Sequence, residues 1–152
     1  KKMNKYFFIF NNNNMDTEGL YFLKKIMYFC KNNQNSILIN SLGTKKYFDF
    51  AKNVDLVIGN SSSGLIEIPY CKVPTLNIGT RQHGRPIASS VFNCKLNKDE
   101  IIKFTKTILS KKKINYKNIY VVKNTKEKII NSIMKIIKNK SKKPKEFNDI
   151  KF

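Results

Sequence analysis

The sequence predicts an α/β fold in which helices flank a parallel β-sheet. Short apolar runs alternate along the 152 residues with longer stretches of helical periodicity, a pattern typical of β-α-β units. The short runs are apolar throughout, as in "YFFIF" (6–10) and "DLVIG" (55–59). Because helices cover both faces of a parallel sheet, we expect these strands to be buried on both sides.

The predicted elements alternate from one end of the chain to the other. Strands are expected where four to six apolar residues stand together, and helices where apolar residues recur at three- to four-residue intervals. The expected strands are 6–10, 36–40, 55–60, 74–79 and 90–94, and the expected helices are 18–31, 45–53, 62–70, 98–111 and 125–139.

Polar residues and proline mark the ends of several of these helices. Asp16 or Thr17 is a candidate N-cap for the first helix, and Asn97 or Asp99 for the fourth, because their side-chain oxygens accept hydrogen bonds from free backbone N–H groups. Pro69 limits the third helix, since proline lacks a backbone N–H. The last helix has one apolar side that we expect to be partly exposed.

Residues 1–140 are predicted to form one domain, and 141–152 a charged, disordered tail. The chain starts with Lys1 almost inside a strand, so we expect that an N-terminal part is missing. No apolar run approaches the roughly 20 residues of a membrane span, so we expect no membrane contact.

The net charge of +20 raises the question of a polyanionic partner. The lysines are spread along the chain, and no aromatic-basic stacking motif is present. We therefore attribute the charge to a Lys-, Asn- and Ile-rich composition and expect no nucleic-acid partner. Cys30, Cys71 and Cys94 form no CxxC pair, which indicates reduced thiols in the cytoplasm, neither a disulfide framework nor a zinc site.

The segment "VIGNSSSGLIEIP" (57–69) carries three serines directly after an apolar strand. Ligands bind beyond the carboxyl ends of strands in open parallel sheets. Free N–H groups, a helix dipole and serine hydroxyls there favour an anion, and Gly59 and Gly64 permit close approach of a phosphate. With Glu67 as a ribose acceptor, the loop is predicted to bind a nucleoside diphosphate. The alternative is a serine N-cap on a structural helix, with Glu67 in a capping-box-like role.

A second loop, "NIGTRQHGRP" (77–86), follows the next strand. Arg81 and Arg85 are expected to neutralise phosphate charge in the same cleft, with glycines shaping the loop. The alternative is a solvated basic loop in a basic protein. His83 is the only histidine, and we interpret it as a loop residue. No cluster of metal ligands is visible, so no metal and no cofactor are expected.

Together, the segment 57–86 closely resembles the hydrolysing UDP-N-acetylglucosamine 2-epimerases, which make N-acetylmannosamine for sialic-acid-type sugars; the related UDP-diacetylbacillosamine 2-epimerases are similar here. The resemblance rests on GNSSSG, a glutamate six residues after the first serine, a proline two residues later, and NIG-x-RQ-x-GR. Upstream, Asn14 and Asp16 match the family's strand end, whereas Asn13 replaces its usual proline. Downstream, "KNIYVVKNTKEK" (117–128) lacks the family's glycine-containing segment. The match covers roughly 5–138.

The resemblance implies a two-domain, glycosyltransferase-B-type architecture in which two Rossmann-like domains enclose the active site. This chain matches most of the C-terminal, UDP-binding half. The N-terminal domain with the acidic catalytic residues is absent, so no catalytic residue is expected in this chain. We expect the chain alone to be inactive, and the full-length enzyme to be a homo-oligomer.

The resemblance also implies roles at the matching positions. Ser61 and Ser62 would contact the pyrophosphate, Glu67 would hold the ribose hydroxyls, and Arg81 would contact the diphosphate. The remaining expected contacts are Asn14 at the UDP-facing cleft, the backbone near Leu42 at the uracil, and, as weaker candidates, Ser63, Gly64, Gln82 and Arg85.

The implied reaction eliminates UDP across C1–C2 of the sugar to give a glycal, to which water adds. Two alternatives remain. A glycosyltransferase of the same architecture would keep the glutamate but is not expected to carry NIG-x-RQ-x-GR. A stand-alone nucleotide- or nucleic-acid-binding module would account for the +20 charge.

Overall fold

The computed structural model describes residues 5–11, 19–111 and 116–138. The candidate cap at Asp16 or Thr17, the candidate ligand Asn14, the domain boundary at 140 and the tail 141–152 lie outside these ranges. The chain divides into two compact units, one up to Asn118 and the other from Ile119 onward.

The elements follow the predicted order, and most end within three residues of the predicted positions. The strands are β1 (Phe8–Asn11), β2 (Ser36–Ile39), β3 (Val57–Gly59), β4 (Thr75–Ile78) and β5 (Val91–Cys94). The α-helices are α1 (Gly19–Lys31), α2 (Gly43–Lys52), α3 (Ser63–Ile66), α4 (Lys98–Ser110) and α5 (Thr125–Lys138).

The predicted helix over 62–70 is shorter than expected. The α-helix α3 has four residues, and a 3-10 helix over Ile68–Cys71 follows it, with Pro69 at its start. Proline cannot donate the backbone hydrogen bond that would continue the α-helix. The chain then turns at Lys72, which has a left-handed φ of 59°.

All strand pairs are parallel, which confirms the predicted α/β class. The strands form two sheets rather than one: β1 pairs with β2, and β3, β4 and β5 lie side by side in that order. Ile9 stands opposite Ile37 in the first sheet, and Leu76 lies between Ile58 and Phe92 in the second.

The hydrophobic core surrounds β4, the central strand of the larger sheet. Leu76 is fully buried and packs with Cys94 and Ile108. Elsewhere around this sheet, Leu65 packs with Ala88 and Val91, and Ile68 packs with Ala51 and Val73.

The expectation that every strand is buried on both sides is wrong for β1, β2 and β3. Phe8 and Phe10 pack edge-on against Phe29 of α1, so one face of the small sheet is covered. On the opposite face Ile9 remains 38% exposed and Ile37 45%. No described helix buries these two side chains, which is why the apolar pattern overestimated their burial.

The N-cap of α4 and the exposure of α5 agree with the predictions from the sequence. The Asn97 side chain accepts hydrogen bonds from the N–H groups of Asp99 and Glu100, each over 3.0 Å, so Asn97 and not Asp99 caps α4. The apolar residues of α5, including Ile129 and Ile133, are exposed as expected. None of the described helices is both long and apolar enough to cross a membrane.

Candidate functional site

The serine loop (residues 60–64) lies at the carboxyl end of β3, where the sequence predicts a ligand site. It borders a cavity of about 630 Å³. The residues from the predicted site that line this cavity are Leu42, Ser61, Ser62, Ser63, Gly64, Glu67 and Arg81. Side chains predicted from three separate segments therefore meet around one space.

The serine side chains make one long hydrogen bond to the start of the following helix. Ser62 is the N-cap of α3, but its side chain makes no capping hydrogen bond. The Ser61 hydroxyl accepts a hydrogen bond of 3.4 Å from the N–H of Ser63, the first residue of α3. The alternative interpretation of the serines as a structural helix cap therefore rests on this one long bond.

The backbone of the loop offers fewer free donors than the sequence suggested. The N–H groups of Gly64 and Leu65 donate to the carbonyl oxygens of Ser61 and Ser62 over 3.1 and 3.0 Å. A helix of four residues also has only a small dipole, because the dipole sums over aligned peptide units. The side-chain donors that the predicted site residues bring to the cavity include the hydroxyls of Ser61 and Ser62 and the guanidinium group of Arg81.

Gly64 packs closely against β4, and its role in the approach of a phosphate stays a prediction. A Cβ atom at this position would lie 2.8 Å from the Cγ2 atom of Thr75. The Thr75 hydroxyl in turn donates a 2.8 Å hydrogen bond to the Gly64 carbonyl oxygen. Gly59, by contrast, has open space around its Cα. Of the two glycines, Gly64 is therefore the one that packing requires, because it lies against Thr75 of β4.

Tyr47 of α2 is a site residue that the sequence analysis missed. Its hydroxyl shares a hydrogen bond with the Ser63 hydroxyl, and its ring lines the cavity. Burial raises the pKa of Tyr47, the Ser63 hydrogen bond opposes that rise, and the charges of Glu67 and Cys71 add to it. Only the position of Tyr47 on the apolar side of a short helix could have signalled this contact.

Glu67 stands at the end of α3 with an exposed side chain beside the serines. Its backbone N–H donates to the Ser63 carbonyl oxygen over 2.9 Å. The Glu67 charge contributes to the raised pKa of the Cys71 thiol, of which burial is the main cause. The carboxylate thus lies within electrostatic range of α2 and the 3-10 helix while remaining accessible from the cavity.

The arginine loop (residues 79–86) is shaped by two glycines, as predicted. Gly79 and Gly84 have left-handed φ values of 76° and 79°, which glycine adopts without strain. Arg81 lines the serine-loop cavity and also a second cavity of about 720 Å³, whereas Arg85 lines only the second. Of the two arginines expected in the serine-loop cleft, only Arg81 borders it, and its contact with phosphate stays a prediction.

Gln82 connects the two loops. Its side chain is only 6% exposed, and its Nε2 atom donates a 2.7 Å hydrogen bond to the Asn60 carbonyl oxygen. It lines the second cavity but not the first. His83 also borders the second cavity and is exposed. Within the described ranges, no three His, Cys, Asp or Glu side chains are placed to hold a metal ion.

Comparison with known proteins gives a consistent result. The sequence model of the family described as UDP-N-acetylglucosamine 2-epimerase matches residues 1–134. The polysialic acid biosynthesis protein P7 of Escherichia coli is 37% identical over 151 residues, which are 97% of this chain and 38% of that protein. The hydrolysing GDP/UDP-N,N'-diacetylbacillosamine 2-epimerase of Campylobacter jejuni is 38% identical over 59% of this chain and 23% of that protein.

A solved structure has the same fold. The UDP-GlcNAc 2-epimerase of Methanocaldococcus jannaschii, crystallised with UDP-GlcNAc and UDP, superposes with a TM-score of 0.57 and 16% identity over 86% of this chain and 45% of that one. The chain thus spans less than half the length of the proteins that it resembles.

Proposed function

The chain belongs to the UDP-N-acetylglucosamine 2-epimerase family, and we propose that it is the UDP-binding part of a hydrolysing 2-epimerase. The observation that carries this proposal is the meeting of Ser61, Ser62, Glu67 and Arg81 around one cavity at the carboxyl end of β3. This is the position where open parallel sheets bind nucleotides. Two relatives, those of Campylobacter jejuni and Legionella pneumophila, carry names of hydrolysing epimerases.

The proposed reaction converts a UDP-2-acetamido sugar and water into the free 2-epimeric sugar and UDP. A base removes the proton from C2, the C1–O bond breaks, and its electron pair leaves with the β-phosphate of UDP. Water then adds to the resulting glycal. Its hydroxyl group bonds to C1, and a proton bonds to C2 on the face opposite to the one from which the first proton was removed. UDP-N-acetylglucosamine would yield N-acetylmannosamine.

In this scheme the serine loop stabilises the leaving group. Negative charge grows on the β-phosphate as the C1–O bond breaks, and donors that are already in place lower that barrier. The Ser61 and Ser62 hydroxyls and the Arg81 guanidinium group supply these donors. In comparable oxyanion sites one donor contributes about 2.7–4 kcal/mol to transition-state stabilisation.

The other contacts orient the nucleoside. Glu67 would accept hydrogen bonds from the ribose hydroxyls, and the backbone near Leu42, which lines the same cavity, would meet the uracil. Ser63 and Gln82 are less suited to bind UDP directly, because Tyr47 and the Asn60 carbonyl oxygen already engage their side chains.

The acid and base groups are proposed to come from protein outside this chain. Among the described residues that line the serine-loop cavity, Glu67 is the one carboxylate, and none is a histidine. We therefore expect the isolated chain to bind UDP without turning over the sugar nucleotide. Release of free sugar from UDP-N-acetylglucosamine by the isolated chain would contradict this expectation.

The substrate is UDP-N-acetylglucosamine or UDP-diacetylbacillosamine, and the name of the Escherichia coli relative supports a role in making sialic-acid-type sugars. The three cysteines are free thiols, which suits a reducing, cytoplasmic location. The complete enzyme is a homo-oligomer.

Calorimetric titration of the chain with UDP tests the proposal. Ser61→Ala and Glu67→Ala should each weaken binding, because each removes a polar group from the cavity. Ser110→Ala and Glu127→Ala make the same chemical changes at exposed helix residues that are not among those lining the cavity and should leave binding unchanged. Equal affinity in all five proteins would refute the serine loop as the nucleotide site. Stronger binding of an oligonucleotide than of UDP, with steep salt dependence, would favour a nucleic-acid module.

A further inference from the structure

A side-chain hydrogen bond joins α2 to the serine loop. The hydroxyl of Tyr47 in α2 shares this bond with the hydroxyl of Ser63, the first residue of α3, and the two residues are 16 positions apart in sequence. Both side chains are half-buried, and both residues line the serine-loop cavity. The bond therefore links two separate segments of the cavity wall.

These two segments are the ones proposed to bind the two ends of the nucleotide. The backbone near Leu42, the N-cap of α2, is proposed to meet the uracil. The hydroxyls of Ser61 and Ser62 are proposed to meet the diphosphate. Because the ribose of UDP holds its base and its diphosphate a fixed distance apart, both contacts form together only when the two segments are correctly spaced.

The first turn of α2 is not held in place by burial of its own residues. Residues 43–46 are exposed, and the Leu42 side chain makes no capping hydrogen bond. The buried residue of this helix, Ala51, packs against the 3-10 helix from near the other end of α2. Tyr47 lies between them, with its ring packed on the Ala51 cluster and its hydroxyl on α3. Tyr47 therefore connects the exposed turn to the rest of the cavity wall.

The serine loop keeps its own conformation through backbone hydrogen bonds. The N–H groups of Gly64 and Leu65 donate to the carbonyl oxygens of Ser61 and Ser62, and none of these bonds involves α2. The ten residues of α2 likewise form a continuous helix. Loss of the Tyr47 hydroxyl would therefore leave each segment folded but less firmly placed relative to the other.

We propose, on the basis of the nucleotide site inferred above, that Tyr47 is a positioning residue that braces α2 against the serine loop. Ser63 anchors this brace, whereas Ser61 and Ser62 keep their hydroxyls for the phosphates. A preorganised site binds its ligand more tightly, because less ordering is required when the ligand binds. The brace therefore strengthens the binding of a ligand that contacts both segments and leaves the binding of a shorter ligand unchanged.

Three ligands and one substitution in the 152-residue chain test the brace. Tyr47→Phe removes the hydroxyl and keeps the ring, and we expect it to weaken UDP binding by about 2- to 10-fold, the range for one neutral hydrogen bond. Uridine and inorganic pyrophosphate each carry only one end of UDP, so the variant and the unmodified chain should bind them equally. NMR titration measures the Kd of each ligand.

The matched control is Tyr28→Phe, which removes the same hydroxyl from a side chain that is 72% exposed and does not line the cavity. It should change the affinity for none of the three ligands. Circular dichroism verifies that each variant is folded.

Ser63→Ala removes the same bond from its other end. It should weaken UDP binding by the same factor, and the double variant with Tyr47→Phe should lose no more than either single variant, because both substitutions remove one interaction. If Tyr47→Phe does not fold, Ser63→Ala with the three ligands decides the question. NMR contacts between the Tyr47 ring and the Ser63 side chain, recorded without ligand, check the brace independently of nucleotide binding.

Several results would overturn the proposal. Equal UDP affinity in Tyr47→Phe and the unmodified chain would show that the brace does not position the site. A parallel loss of uridine or pyrophosphate affinity would make Tyr47 a direct contact or a general support of the fold. A loss of pyrophosphate affinity in Ser63→Ala alone would make Ser63 a phosphate ligand. An unmodified chain that binds no UDP would refute the nucleotide site itself, and the brace would then have no ligand to position.

Discussion

The Nε2 atom of Gln82 donates a hydrogen bond to the Asn60 carbonyl oxygen over 2.7 Å. This bond joins the arginine loop to the first residue of the serine loop. Because Arg81 is the neighbour of Gln82 in sequence, the bond also places the guanidinium group beside the serines. The distance between the two loops therefore depends on a side chain that does not itself line the serine-loop cavity.

Gln82→Met should lower the free energy of unfolding by about 0.5–1.5 kcal/mol, because it removes the hydrogen bond that the buried Gln82 side chain donates to the Asn60 carbonyl oxygen. Urea denaturation measures the change. Gln34→Met, at an exposed position after α1, is the control and should cost little. Equal costs at the two positions would show that the hydrogen bond contributes no net stability.

Gly64→Ala should destabilise the chain by about 1–3 kcal/mol, because its Cβ would overlap the Cγ2 atom of Thr75 at 2.8 Å. Adding Thr75→Ser should recover part of the loss, since serine lacks that methyl group and retains the hydroxyl that donates to the Gly64 carbonyl oxygen. Gly59→Ala has space for its Cβ and serves as the control in thermal denaturation. A Gly64→Ala variant as stable as the unmodified chain would contradict the packing role.

Much of this architecture was predictable from sequence, and Gly64 shows where such prediction stops. The alternation of apolar runs identified all five strands and the parallel class, because short strands and amphipathic helices have different periods. The pattern "SSSG" also located the cavity. The reason for the second glycine could not be predicted, because Thr75 is eleven positions away in sequence and approaches only when β4 forms.

The burial of individual side chains and the path of the arginine loop could not be predicted from the sequence either. Ile9 and Ile58 have the residue types of buried strands, but their burial depends on neighbours that the described chain does not supply. Arg81 and Arg85 are equally basic and four positions apart, and which one borders the serine-loop cavity depends on the folded path of the loop, which the sequence does not show. Tyr47 went unnoticed because its contact with Ser63 crosses from one helix to another.

Asn97→Ala should cost about 0.5–2 kcal/mol of stability, because it removes the acceptor for the N–H groups of Asp99 and Glu100 at the start of α4. Asn97→Asp retains an acceptor and should cost less. Thermal denaturation compares the two variants. If both lose the same stability, the side-chain cap is not what holds the first turn of α4.

Tyr47 should titrate above its ordinary pKa of 10.0, because burial favours the neutral phenol and the nearby Glu67 charge adds to that effect. A tyrosine pKa that is higher in the folded than in the unfolded chain stabilises the fold below pH 10, and this contribution is lost as pH rises through the folded-state pKa. The ring NMR signals of Tyr47 report its titration. Glu67→Gln should lower the pKa, and a Tyr47 that titrates at its ordinary value would contradict the burial of its hydroxyl group.

Arg81→Gln and Arg85→Gln remove the same charge from the same loop, but only Arg81 lines the serine-loop cavity. A hydrogen bond to a charged group contributes about 1.5–3 kcal/mol, so Arg81→Gln should weaken UDP binding by roughly 10- to 100-fold. Arg85→Gln should change it much less, because only long-range attraction is lost, and salt near physiological strength screens that attraction within about 8 Å. Calorimetry at that salt concentration distinguishes the two. Equal losses would mean that the loop acts only through its net charge, whereas a larger loss for Arg85→Gln would place the diphosphate in the second cavity.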